Sequence, residues 1–147
     1  MFIRVALISL LTALPAFAVD GSDTPWAPEP AGEHELSEYQ WVNRVLVVFA
    51  DSPVDPRFVQ QMEAIAEAPE VLLDRDVIVI TDTDPAATSP IREALRPRGF
   101  AFVLIGKDGA RYLRKPRPWS LRELARSIDK MPLRQQELRD QRARPRE

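Results

Sequence analysis

Val45-Leu46-Val47-Val48-Phe49-Ala50 is apolar at every position and rich in β-branched side chains. A strand with one wet face alternates apolar and polar residues, so this unbroken run predicts a strand covered on both faces, in the middle of a sheet. Val77-Ile78-Val79-Ile80 repeats the pattern directly after Asp74-Arg75-Asp76. Between the two, Asp55 offers an N-cap, Pro56 suits the first helical turn, and Phe58, Met62 and Ile65 recur at helical spacing until Pro69. Two buried strands joined through a helix imply parallel pairing and a right-handed crossover. Val71-Leu72-Leu73 is too short to type.

Downstream, Ser89-Pro90 opens a short helix through Ile91, Ala94 and Leu95, which Pro97 and Gly99 end. A third strand follows at 101–105, then a Gly106-Lys107-Asp108-Gly109 turn, and 110–113 return antiparallel as a hairpin. Ser120-Leu121-Arg122-Glu123 reads as a capping box. Leu121, Leu124, Ala125, Ile128 and Met131 line one helical face. Pro132 breaks or kinks that helix, and the polar continuation to Glu147 is expected to fray. This order of elements resembles that of thioredoxin-like domains, so the fold class expected is α/β: one thioredoxin-like domain whose central mixed sheet, a parallel βαβ unit plus a C-terminal hairpin, is flanked by helices.

The N-terminus reads as an export signal. Arg4 supplies the positive start, residues 5–14 an apolar run, and Ala16-Phe17-Ala18 a small-x-small site, so cleavage is expected between Ala18 and Val19. That run is too short to span a bilayer. The expected divisions are a signal at 1–18, a Pro-rich linker at 19–35 containing Trp26, a domain at 36–131 and a basic helix or tail at 132–147. Charge is divided too: residues 19–113 hold 8 basic and 17 acidic side chains, residues 114–147 hold 11 and 5. A basic end suits nucleic acid, anionic lipid or an acidic partner, and export argues against nucleic acid.

Composition closes several chemistries. There is no cysteine, which excludes thiol-disulfide and peroxidase cycles. The single histidine, His34, falls in the linker, which disfavours a serine hydrolase and zinc or copper sites. A Ser-Lys pair using Lys107 remains open, although a turn lysine is normally solvated. Asp51 and Asp55 follow one parallel strand and Asp82 and Asp84 the other, so their loops could meet at the edge where open α/β sheets bind ligands. No EF-hand spacing accompanies them, and no metal or other cofactor is expected. Asp74-Arg75-Asp76 reads more simply as an ion-pair anchor than as a recognition site. Trp41 and Trp119 read as lids on the core.

The stretches Trp41 to Ala50, Asp74-Arg75-Asp76, Leu104 to Gly109 and Ile128 to Arg134 together resemble a family called P-DUDES. It occurs in short exported bacterial proteins and in extracellular matrix proteins such as equarin and the sushi-repeat proteins. The resemblance spans residues 36–138 and implies a thioredoxin-like fold in an extracytoplasmic setting. It brings no catalytic residue. The expectation is therefore a redox-inactive module, more a binder than an enzyme, that engages a protein or envelope component through Arg44, Asp51, Asp55, Lys107 and Arg134. The alternative is a small-ligand or ion binder, or an enzyme, using the carboxylates at the strand ends.

Overall fold

A computed structural model describes residues 26–144; the expected signal and its Ala18–Val19 cleavage point lie outside the described residues. Five strands form one mixed sheet in the order β1-β3-β2-β4-β5: β1 Glu29–Pro30, β2 Arg44–Phe49, β3 Val77–Asp82, β4 Ala101–Ile105 and β5 Arg111–Lys115. The two unbroken apolar runs are parallel neighbours, in register from Arg44 opposite Val77 to Phe49 opposite Asp82. β4 lies antiparallel on the other side of β2, and β5 follows it as the expected hairpin, beginning at Arg111 rather than at residue 110. No helix of the described residues is long and apolar enough to cross a membrane.

Every residue of β2 is buried because both faces are covered. Leu46, Val48, Val79, Phe102 and Leu104 point to one face, against Ile65 of helix α1 (Pro56–Glu67), Leu72 of α2 (Glu70–Leu73) and Leu121, Leu124 and Ile128 of α4 (Leu121–Asp129). Val45, Val47, Phe49, Ile80 and Val103 point to the other, against Ile91 of α3 (Pro90–Leu95). Two cores, one per face, are what an all-apolar central strand requires.

Local signals set the helix ends. The Asp55 carboxylate accepts from the Arg57 amide at 2.9 Å, with Pro56 at the first helical position. The Ser89 hydroxyl accepts from the Arg92 amide at 3.1 Å. α3 ends at Arg96, which is left-handed, φ 48°, and the following Pro97 disfavours any continuation of the right-handed helix. At α4 the Ser120 half of the capping box forms, while Glu123 turns aside to pair with Arg126 at 3.0 Å.

Three expectations change. The linker does not extend to residue 35: Glu29 and Pro30 pair with Ile80 and Thr81, Ala31 is buried, and Trp26 packs on the first core. A proline-containing segment is tolerated there because it is an edge strand. The chain after Pro132 does not fray at once; Pro132–Ala143 is helix α5, with Pro132 at its first position after an extended Met131. Trp41 is no lid, being 67% exposed.

Candidate functional site

The two ends of the sheet differ in chemistry. At the end where β2 and β3 finish, the carboxylates are committed to holding the loops. Asp55 caps α1 and is gripped by the Arg57 side chain at 2.7 Å, which with the amide bond keeps its carboxyl below the usual range. Asp82 is buried; it accepts from Ser89 Oγ at 2.6 Å and from Arg92 Nη2 at 2.8 Å. Burial opposes its ionisation, but the Arg92 and Ser89 hydrogen bonds outweigh that and hold it ionised below the usual range. Arg92 also donates to the carbonyls of Ala50 and Asp82, tying the two strand ends together. Asp84 caps the 3-10 turn Pro85–Ala87, and Asp51 is exposed. Among the described residues no three acidic or histidine side chains come together as metal ligands. A carboxylate held anionic by arginine is a weak general base at neutral pH, so this arrangement does structural duty.

At the opposite end three of the five nominated residues meet. Arg44 opens β2 and is 1% exposed, Lys107 follows β4, and Arg134 lies on α5 and is buried. All three converge on Glu137 of α5. Arg44 grips it with both terminal nitrogens, at 3.3 and 3.1 Å; Lys107 Nζ is at 2.8 Å and Arg134 Nη1 at 3.3 Å. Burial alone would raise the Glu137 pKa, but hydrogen bonds from Lys107 and Arg44, the Arg44 charge and Arg134 bring it from 4.5 to about 2. The network continues outward. Arg75 forks onto Asp129 at 3.0 and 2.9 Å, Arg134 Nε lies 3.6 Å from Asp129, and Lys107 reaches Asp76 at 2.8 Å. The 3.6 Å contact is an ion pair too long for a hydrogen bond, and Arg134 Nε, like Arg44 Nε, is buried without an acceptor.

Arg44 and Arg134 are thus anchors rather than a binding surface, because buried side chains cannot touch a partner. Asp51 and Asp55 lie at the other end of the sheet and do not join them. Lys107 is no free turn lysine; it is paired with two carboxylates. The charged trio of residues 74–76 does act as an anchor, through Arg75 and Asp76. Glu137 is the hub that sequence reasoning missed; its one local signal is its place three residues after Arg134, on the same helical face.

What this end offers to solvent is Trp41. Its backbone is left-handed, φ 67°, and its amide donates to the Lys107 carbonyl at 2.6 Å. Beside it Val42 is 63% exposed. Trp41 forms one wall of a cleft of about 240 Å³ whose other wall is α5, with Leu133, Gln136 and Asp140.

The sequence model of a domain of unknown function, DUF4174, matches residues 35–137. The chain belongs to the DUF4174 family. No curated protein matches the sequence. Among solved structures, the DUF4174 domain is similar to the reduced 2-Cys peroxiredoxin of Plasmodium vivax, at 17% identity and a TM-score of 0.53, over 70% of this chain and 84% of that one. Plasmodium yoelii thioredoxin peroxidase I is also similar, at 19% identity and a TM-score of 0.47, over 70% and 79%. The likeness to the first is one of fold: the DUF4174 domain is a thioredoxin-fold domain. With no cysteine in its 147 residues, thiolate chemistry has no nucleophile here.

Proposed function

We infer that this DUF4174 domain is an exported, redox-inactive binding module of the P-DUDES type, which docks a protein of the extracytoplasmic compartment through the face built on Trp41. The observation that carries this reading is a tryptophan two-thirds exposed yet held in a strained backbone region by its bond to Lys107. Non-glycine residues with positive φ persist where the surroundings over-determine them, and such strain concentrates at functional positions. Tryptophan is among the residue types that most often dominate a protein interface.

The Trp41 amide is tied to the carbonyl of Lys107, whose side chain joins the ionic hub. Leu133, Gln136 and Asp140 of α5 line the cleft beside Trp41, so the partner that fits presents an apolar group with hydrogen-bond donors at its rim. Export rests on the pattern of residues 1–18. Crosslinking and pull-down of the exported protein test the reading: Trp41→Ala should lose the partner at unchanged melting temperature, whereas Val54→Ser, exposed at the other end of the sheet, should keep it. Capture undiminished by Trp41→Ala would remove this face from the account.

A further inference from the structure

We propose that the groove between the α3–β4 loop and β5 is an anion site for a phosphoryl-bearing ligand. It lies at the opposite end of the sheet from Trp41, so it goes beyond the docking role and can fail without it. A cavity of about 400 Å³ is walled by Arg96, Arg98, Arg114 and Lys115 over a floor that includes Phe100 and Ala101, with no acidic side chain in its lining. Register explains the convergence. Phe102 and Val103 pair with Lys115 and Arg114, so the start of β4, just after Arg96 and Arg98, adjoins the end of β5.

The cations of the groove contrast with those that hold the fold together. Arg44, Arg57, Arg75, Arg92, Lys107, Arg126 and Arg134 each lie within ion-pair distance of a carboxylate. Among the described residues, none of the four cations at the groove does. Arg114 is half-buried and aimed by two carbonyls at the end of α3, Leu95 O at 2.6 Å and Arg96 O at 3.0 Å. Carbonyl dipoles orient a guanidinium without cancelling its charge. Lys115 Nζ stands 5.0 Å from the centre of the Trp119 ring, and Arg96 and Arg98 are exposed with no side-chain hydrogen bond.

Arg114 and Lys115 are consecutive in β5 and leave opposite faces of the sheet, so the charges that gather at the hollow are Arg96, Arg98 and Arg114; they repel one another, and an anion that enters relieves that repulsion. The count of charges selects the ligand. A carboxylate brings one negative charge, whereas a phosphate monoester or pyrophosphate brings about two or more at neutral pH and offers several oxygens to guanidinium forks. The cavity admits a phosphoryl group with a small substituent resting on the Phe100 floor.

Titration calorimetry of the purified protein with inorganic pyrophosphate at low ionic strength, beside co-sedimentation with phosphatidylglycerol vesicles, tests the proposal. The informative variant is Arg96→Asn with Arg98→Gln, since both side chains are exposed and Asn tolerates the left-handed backbone. Binding of either probe that weakens at least tenfold in this variant, and stays unchanged in Arg139→Gln with Arg142→Gln, supports the site. Pyrophosphate binding then indicates a soluble phosphoester, and vesicle binding alone a lipid headgroup. No saturable binding of either probe overturns the proposal, as does equal loss in the α5 variant or citrate binding as tight as pyrophosphate.

Discussion

Glu137 concentrates the energetics of the ionic end at one carboxylate. Its folded pKa of about 2 lies below the ordinary 4.5, so its interactions contribute stability in full above about pH 4.5 and lose it as pH falls toward 2. A shift of that size corresponds to about 3 kcal/mol. Glu137→Gln should therefore destabilise by about 2–4 kcal/mol at pH 7 by chemical denaturation, since Arg44 stays buried without its counter-charge. The loss should shrink as the wild type is acidified below pH 4.5. At Trp41 the balance is different. Substitution by glycine relieves the positive φ and removes a mostly exposed side chain, so stability should hold within roughly 1 kcal/mol while partner capture fails.

Two elements are fixed by polar contacts that no hydrophobic pattern announces. Gln61, buried on the inner face of α1, donates to the Trp119 carbonyl at 3.1 Å and accepts from the Trp119 amide at 2.7 Å, joining α1 to the segment that leads into α4. Gln61→Leu leaves both backbone groups unpaired in the interior and should cost about 2–3 kcal/mol, read as a lowered denaturation midpoint with an unchanged denaturant slope. Helix α5 is held by Glu137 and Arg134. Ending the chain before Pro132 strips the carboxylate from Arg44 and should lower stability by roughly 3–5 kcal/mol. Loss of partner binding after that truncation would report unfolding as well as loss of a surface, which makes Trp41→Ala the cleaner probe.

For the whole molecule, the edge of the sheet decides solubility. β1 covers the outer edge of β3, whose Thr81 carbonyl accepts from the Ala31 amide at 2.9 Å. A chain begun at Leu36 exposes that edge and uncovers the core beneath Trp26. It should melt earlier and form larger species in size-exclusion chromatography, as unprotected edge strands do. A monomeric chain of undiminished stability would show β1 to be ornamental.

The central strands, the parallel βαβ unit, the hairpin and the caps at Asp55, Ser89 and Ser120 are legible in the amino-acid order, because their physics is local: unbroken apolar runs, helical spacing and a side-chain oxygen within three residues of the amide it accepts from. The sequence alone also excluded thiol chemistry, since no arrangement of this chain can supply a sulfhydryl. It nominated Arg44, Lys107 and Arg134 together, yet could not show that they are drawn inward onto Glu137. Arg44 and Glu137 are 93 residues apart, and a charge's burial depends on which carboxylate the fold brings to it. The same reason exposed Trp41 and admitted residues 29–30 to the sheet. Their places are set by neighbours distant in sequence, and only the tertiary structure supplies those neighbours.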